Sequence, residues 1–300
     1  MAQPENYGDS DKRGGGDPSR REFVALSAAV GVVAATPAAS AAESQVVEKD
    51  VEIKTADGTC DAAFIHPPAG SHPGVLIWTD IFGLRPSMRE FGKRLAAEGY
   101  SVLVPNPFYR TQKAPVITDV STFNFGDPAS RTKMQSWTGP MNAPGAIEND
   151  AKAYIAFLDA QKQVNKSRKI GTQGYCMGGP LVMKTAATVP DRVGAGATFH
   201  GGGLVTDKPD SPHLLAPKIK ARMYIAIAES DDMRQPDAKD KLKQAFDAAK
   251  VVNDIEVYKG TAHGWCVPDM PVQNGMPIYS KPDAERAWAK LTALYKAALV

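Results

Sequence analysis

Cysteine is scarce in this chain: three occur in 300 residues, Cys60, Cys176 and Cys266. Three thiols without a C-x-x-C pair exclude a disulfide-built scaffold and a thiolate zinc or redox motif. Neither sign of charge dominates, with 35 Lys+Arg against 33 Asp+Glu, a net charge of +2 and no basic run. Nucleic acid, whose binding rests on clustered Lys and Arg facing phosphates, is therefore not an expected partner. No apolar run reaches the ~20 residues that a membrane-spanning helix needs. His66 and His72, among prolines and glycine in an expected surface turn, and His213 show no ligand spacing, so neither a metal nor an organic cofactor is expected. The remainder, 43% apolar and 23% charged, must hold itself together by burial and is long enough for one sizeable α/β domain.

The start of the chain reads differently from the rest. Ser19-Arg20-Arg21-Glu22-Phe23-Val24 precedes an uncharged Ala/Val/Gly stretch, and Ala39-Ser40-Ala41 fits an A-x-A cleavage site. Paired arginines ahead of a weakly apolar stretch resemble a twin-arginine export signal. The expectation is a signal peptide over residues 1–41, carried by the twin-arginine export machinery to a bacterial periplasm. Residues 42–300 then form one domain with no further membrane contact.

Val46–Lys54 alternates apolar and polar residues, Ala56-Asp57-Gly58 is a turn, and Cys60–His66 resumes the extended pattern, which predicts an opening hairpin. Unbroken apolar runs follow at Gly74–Trp78, Ser101–Val104, Ile170–Gly174, Val193–Phe199, Met223–Ala228 and Ile255–Tyr258. Continuous apolarity is what a strand buried on both faces requires. Helical patterns lie between them at Pro86–Glu98, Ile147–Gln161, Gly179–Thr188, Pro236–Lys250 and Pro282–Leu299. The alternation predicts a mainly parallel central sheet with helices on both faces, entered through an antiparallel hairpin. Asn106–Pro144, rich in Pro, Thr, Ser and Gly, breaks the rhythm and reads as a long loop, serving as a lid, a binding wall or a solvated insertion.

Gly174-Tyr175-Cys176-Met177-Gly178 stands where a buried strand gives way to a helix. A nucleophile on so tight a turn needs neighbours without side chains, and the helix that follows aims free N–H groups at the sulfur. An acid and a base are then sought downstream. Glu229-Ser230-Asp231-Asp232 closes one strand and His263 follows another, so each reaches the carboxyl end of the sheet, where open α/β sheets build their sites. His200-Gly201-Gly202-Gly203 comes after Cys176 and reads as a glycine-rich turn.

These motifs, with Asp80-Ile81-Phe82-Gly83-Leu84-Arg85-Pro86, Leu95-Ala96-Ala97-Glu98-Gly99-Tyr100 and His263-Gly264-Trp265, resemble the dienelactone hydrolase family, a cysteine branch of the α/β-hydrolases, over nearly the whole of residues 42–300. The resemblance implies an α/β-hydrolase fold and a hydrolase acting on a small ester or lactone. Cys176 would be the nucleophile, His263 the proton carrier, Asp231 or else Asp232 the acid that orients it, and the backbone N–H groups of Met177 and Ile81 the oxyanion hole. Asp80 takes the position of the glutamate that contacts the resting thiol in the family's best known members and, being one methylene shorter, either keeps that contact, loses it or makes it through a water; Tyr109-Arg110 takes that of a carboxylate-binding arginine. Val267 stands where those members have a second arginine, which implies a broader ester or lactone range. Acyl transfer or thioester cleavage on the same fold, and non-catalytic binding of a small molecule in the periplasm, are the rival readings.

Overall fold

The computed structural model describes residues 45–273 and 275–299; the expected signal segment lies outside them. Val47–Thr55 (β1) and Gly58–His66 (β2) pair as the antiparallel hairpin. Gly74–Trp78 (β3), Ser101–Pro105 (β4), Ile170–Tyr175 (β5), Val193–Phe199 (β6), Arg222–Ala228 (β7) and Asn253–Tyr258 (β8) complete an eight-stranded sheet ordered β1-β2-β4-β3-β5-β6-β7-β8. From β4 to β8 every pairing is parallel, and β2 joins β4 antiparallel. This is the architecture of the α/β-hydrolases. The chain steps from β3 outward to β4 and then back across β3 to β5, so a switch point opens between β3 and β5. Crevices at such points are where α/β sheets take their ligands.

Side chains alternate through the sheet, and each face buries its own core. Leu76 and Trp78 join one cluster, to which Ala146–Ala160 (α3), Gly178–Thr188 (α4) and Ala238–Ala248 (α6) contribute; Val75 and Ile77 join the other, covered by Pro86–Ala97 (α1) and Lys281–Leu299 (α7). Cys60 belongs to the first cluster and Cys266 to the second, so the sheet separates them and both are free thiols. His66, expected in a surface turn, is instead buried at the end of β2 with its ring against Phe64.

Two departures from the sequence reading bear on the site. Within Asn106–Pro144 the chain forms a helix, Pro128–Met141 (α2), preceded by a turn of 3-10 helix at Val120–Thr122. Asp127 caps α2 by accepting from the N–H of Ser130 at 2.9 Å, Pro128 sits at its start, and Trp137 and Met141 are buried beneath it. Polar residues with Gly139 and Pro140 dilute the apolar period that would have announced it. Second, β7 runs directly into a short helix, Glu229–Arg234 (α5), which puts Ser230, Asp231 and Asp232 on a helical turn with fixed directions.

A buried polar chain ties α7 to β5. The Tyr295 hydroxyl donates to Gln173 Oε1 at 3.1 Å, and Gln173 Nε2 donates to the Tyr175 hydroxyl at 2.8 Å, all three side chains being fully buried or nearly so. Tyr295→Phe removes the donor and leaves the Gln173 carbonyl unpaired away from water, so the variant should lose about 1–3 kcal/mol of stability. Urea unfolding checks this; an unchanged midpoint at unchanged slope refutes it.

Candidate active site

Cys176 lies between β5 and α4 with φ +50°, a left-handed conformation that a residue with a side chain adopts only at a cost. Backbone contacts hold it there. Its N–H donates to the Phe199 carbonyl at 3.0 Å, and its own carbonyl accepts from Gly179 at 3.0 Å and Gly202 at 3.3 Å. A Cβ on Gly174 would stand 2.2 Å from the Gly178 carbonyl oxygen, and one on Gly178 would stand 2.6 Å from that of Trp78. Both obstacles are backbone and cannot step aside, so the turn exists only with glycine on either side of Tyr175-Cys176-Met177. The N-terminus of α4 begins at this point, and its dipole favours negative charge at the sulfur. Burial pushes the Cys60 thiol up to about 12 against the opposing hydrogen bond from Tyr154, and burial drives Cys266 well above the thiol range. Neither forms a thiolate near neutral pH.

His263 reaches the same region from the loop after β8. Its Nδ1 is 2.8 Å from Asp231 Oδ2. Asp232 turns the other way and accepts from Lys239 Nζ at 2.7 Å, so the two candidate acids are distinguished by geometry. The loop is clamped to α5 at several points. The His263 N–H donates to Ser230 Oγ at 2.9 Å, the Ser230 N–H to the Thr261 carbonyl at 3.2 Å, and the Gly260 N–H to Glu229 Oε2 at 3.0 Å. Ser230 and Thr261 were not singled out in the sequence, and nothing in a short polar loop marks them.

Burial disfavours the charged form of His263, but the hydrogen bonds and negative charges of Asp231 and Cys176 outweigh it and raise the imidazole from 6.5 to about 10. The imidazole thus has two acidic neighbours, Asp231 and Cys176. A third contact comes from His200, whose ring meets that of His263 edge to face at 4.8 Å between centroids. His200 is fully buried with φ +41°, and neither ring nitrogen has a hydrogen-bond partner among the described residues. Burial, then the charge on His263, holds its pKa well below the usual value. His200 is therefore a neutral imidazole wedged against a charged one, where the sequence suggested only a glycine-rich turn.

Asp80 does not touch the thiol. Its carboxylate is fully buried and gripped by Arg85, with Nη1 to Oδ1 at 2.7 Å and Nη2 to Oδ2 at 2.9 Å, while the Phe82 N–H donates to Oδ1 at 2.9 Å. Arg85 extends on to Asp269 through Nε at 2.7 Å and Nη2 at 2.9 Å. An aspartate one methylene shorter than glutamate satisfies this local arginine in place of the sulfur. Arg110 is likewise unavailable to a ligand over Cys176. It pairs with Asp150 through Nη1 at 2.8 Å and with Asp57 through Nη2 at 2.6 Å, and Tyr109 donates to the same Asp150 at 2.8 Å. Arg110 and Tyr109 brace the β1–β2 turn against α3 and are absent from the lining of the cavity.

That cavity measures about 950 Å³ and opens directly over Cys176 and His263. Ile81, Met177, Asp80 and Phe82 form its floor; Ser121, Phe123, Asn124, Phe125 and Met134 supply one wall from the segment that holds α2. Among the described residues the amide hydrogens of Ile81 and Met177 meet no acceptor within the protein. A thiol at a helix N-terminus, beside a carboxylate-bound imidazole and two free amides, is equipped for attack on a carbonyl carbon.

The sequence model of the Dienelactone hydrolase family matches residues 61–299. A carboxymethylenebutenolidase of Rhodococcus opacus is 26% identical over 211 residues, covering 69% of this chain and 77% of its own. A carboxymethylenebutenolidase homolog of Mus musculus is 26% identical over 200 residues, covering 66% and 72%. Among solved structures, a dienelactone hydrolase-like promiscuous phosphotriesterase from metagenomic libraries superposes with a TM-score of 0.68 at 21% identity over 85% of this chain and 99% of that one. A dienelactone hydrolase from Anabaena variabilis does so with 0.56 at 16% identity over 85% and 100%.

A histidine whose pKa is raised on folding adds stability below its unfolded value and loses that contribution as pH climbs to the folded one. The stability advantage of His263 over His263→Gln should shrink as pH rises from 6.5 toward 10, and in a Cys176→Ala background, where only Asp231 still raises the imidazole, the loss should be complete at a lower pH. Chemical unfolding at a series of pH values measures it; an advantage that grows with pH would refute the pairing.

Proposed function

The chain belongs to the dienelactone hydrolase family and is a hydrolase, and from that premise we propose that it cleaves carboxylic esters or lactones by way of a thioester on Cys176. The Cys176 thiolate adds to the carbonyl carbon, and the oxygen takes up negative charge between the N–H groups of Ile81 and Met177. The carbon–oxygen bond to the leaving group breaks as the imidazolium of His263 gives that oxygen its proton. Water then adds to the thioester with His263 accepting one of its protons, the carbon–sulfur bond breaks to return the Cys176 thiolate, and the carboxylic acid leaves and gives its remaining proton to solvent. Asp231 keeps Nδ1 of His263 occupied, so that Nε2 faces the sulfur and the substrate. The observation that carries this reading is the 2.8 Å contact of Asp231 with an imidazole whose other partner is the thiol at the strained turn. Losing one oxyanion donor typically costs ~3 kcal/mol in the transition state, so the Ile81 loop matters as much as the three side chains. We propose further that residues 1–41 direct export to a periplasm, on the strength of Arg20-Arg21 and Ala39-Ser40-Ala41.

Hydrolysis of p-nitrophenyl acetate, p-nitrophenyl butyrate, a simple lactone and a dienelactone tests the reading. The unsubstituted protein should turn over at least one of them, and Cys176→Ala should reduce kcat/KM by about 10³-fold or more. Retained turnover in that variant would overturn the nucleophile. Asp231→Asn should both slow the reaction and move the alkaline limb of the pH profile down from about 10, because one of the two negative groups that raise His263 is gone. Asp232→Asn, paired with Lys239, should leave that limb in place. The reverse pattern would exchange the two acids.

A further inference from the structure

The floor and walls of the cavity say what kind of ester fits, given the ester-cleaving reading above. Phe82 leaves the loop after β3 and meets two rings from the segment before α2: its centroid lies 5.6 Å from that of Phe123 and 6.0 Å from that of Phe125, and the latter two are 4.9 Å apart. These are edge-to-face and tilted contacts, the arrangements aromatic groups prefer, and a further ring or alkyl chain extends them without rearrangement. Met134 from α2 continues this wall, and Met270 and Ile278 face it from the stretch after His263. Phe125 and Val272 are 53% and 63% exposed while lining the cavity, so the apolar surface continues to its mouth.

Charge inside the cavity points the same way. The Asp80 carboxylate is taken by Arg85, and Arg110 is locked between Asp57 and Asp150 away from the lining. Arg234, mostly exposed at the rim, lies 3.4 Å from Asp231 Oδ1. The imidazolium of His263 is already matched by Asp231 and Cys176, so a carboxylate on the substrate would leave water for a largely apolar cavity whose floor offers it no uncompensated cation, which is strongly unfavourable. A volume of about 950 Å³ is also at the upper end for a small-ligand site and far exceeds what a compact lactone fills.

We propose that the substrates are uncharged esters carrying a bulky apolar group, an aromatic ring or a medium-length alkyl chain, which seats against Phe82, Phe123 and Phe125. Compact lactones bearing a carboxylate are poor substrates. The specificity is set by the wall, and the chemistry by Cys176 and its partners.

The experiment is kcat/KM for p-nitrophenyl acetate, butyrate, hexanoate and benzoate, together with mono-p-nitrophenyl adipate, which is hexanoate with a terminal carboxylate. From acetate to hexanoate kcat/KM should rise by up to about fourfold for each methylene removed from water. Benzoate should exceed acetate, and the adipate monoester should fall at least about tenfold below hexanoate. In Phe125→Ala, a half-exposed position whose loss the fold tolerates, the hexanoate-to-acetate ratio should drop severalfold, and Phe125→Leu should restore most of it. A flat or falling chain-length series, or an adipate monoester that matches hexanoate, overturns the wall as the specificity determinant while ester cleavage stands. Failure to hydrolyse any of the esters overturns ester cleavage itself, and this inference with it.

Discussion

The close crossing of two backbones at the end of β5 is the constraint on which the site depends. Gly174 and Gly178 have no room for a single carbon, because the carbonyl groups of Gly178 and Trp78 already occupy it. That crossing forces Cys176 into positive φ and lifts its side chain off the sheet. It also brings the first turn of α4 under the sulfur and sets the end of β3, with Ile81 just beyond, beside it. Folding energy from two buried cores is thereby converted into a strained backbone at one residue. The strain persists because strands on both sides over-determine it: β3 and β6 each pair with β5 along its length.

Electrostatics at the site is organised by giving its carboxylates basic partners. Asp231 faces His263 and Asp232 faces Lys239; Asp80 and Asp269 share Arg85; Asp150 and Asp57 share Arg110. The Arg85 bridge joins the loop that follows β3 to the loop that follows His263, so the free amide of Ile81 and the imidazole are referenced to one another through a buried guanidinium. His200 adds an uncharged ring at the back of His263, where a second positive charge would destabilise the imidazolium.

Much of this was readable from the chain. Buried strands declare themselves as unbroken apolar runs, and glycine two before and two after Cys176 marks a turn that tolerates nothing larger. The choice between Asp231 and Asp232 was not readable, since both leave the strand and only the helical turn at Glu229–Arg234 gives them opposite directions. The pairing of Arg110 was not readable because its acidic partners are 53 and 40 residues away in sequence. The shorter side chain of Asp80 already put its contact with the thiol in question, but its pairing with Arg85, only five residues on, carries no signal in the sequence. Helix α2 escaped because its apolar positions Met134, Trp137 and Met141 are spaced correctly but embedded in residues that favour turns.

That helix and the turn before it occupy one uninterrupted stretch between β4 and α3, capped by its own Asp127 and sharing no residue with the elbow or the histidine loop. Substitutions there reshape the cavity without passing through the reacting groups. Lineages descended from a common ancestor can therefore exchange diets by rewriting some forty residues while inheriting the chemistry intact, and family membership here carries more information about the bond that is cut than about the molecule that contains it.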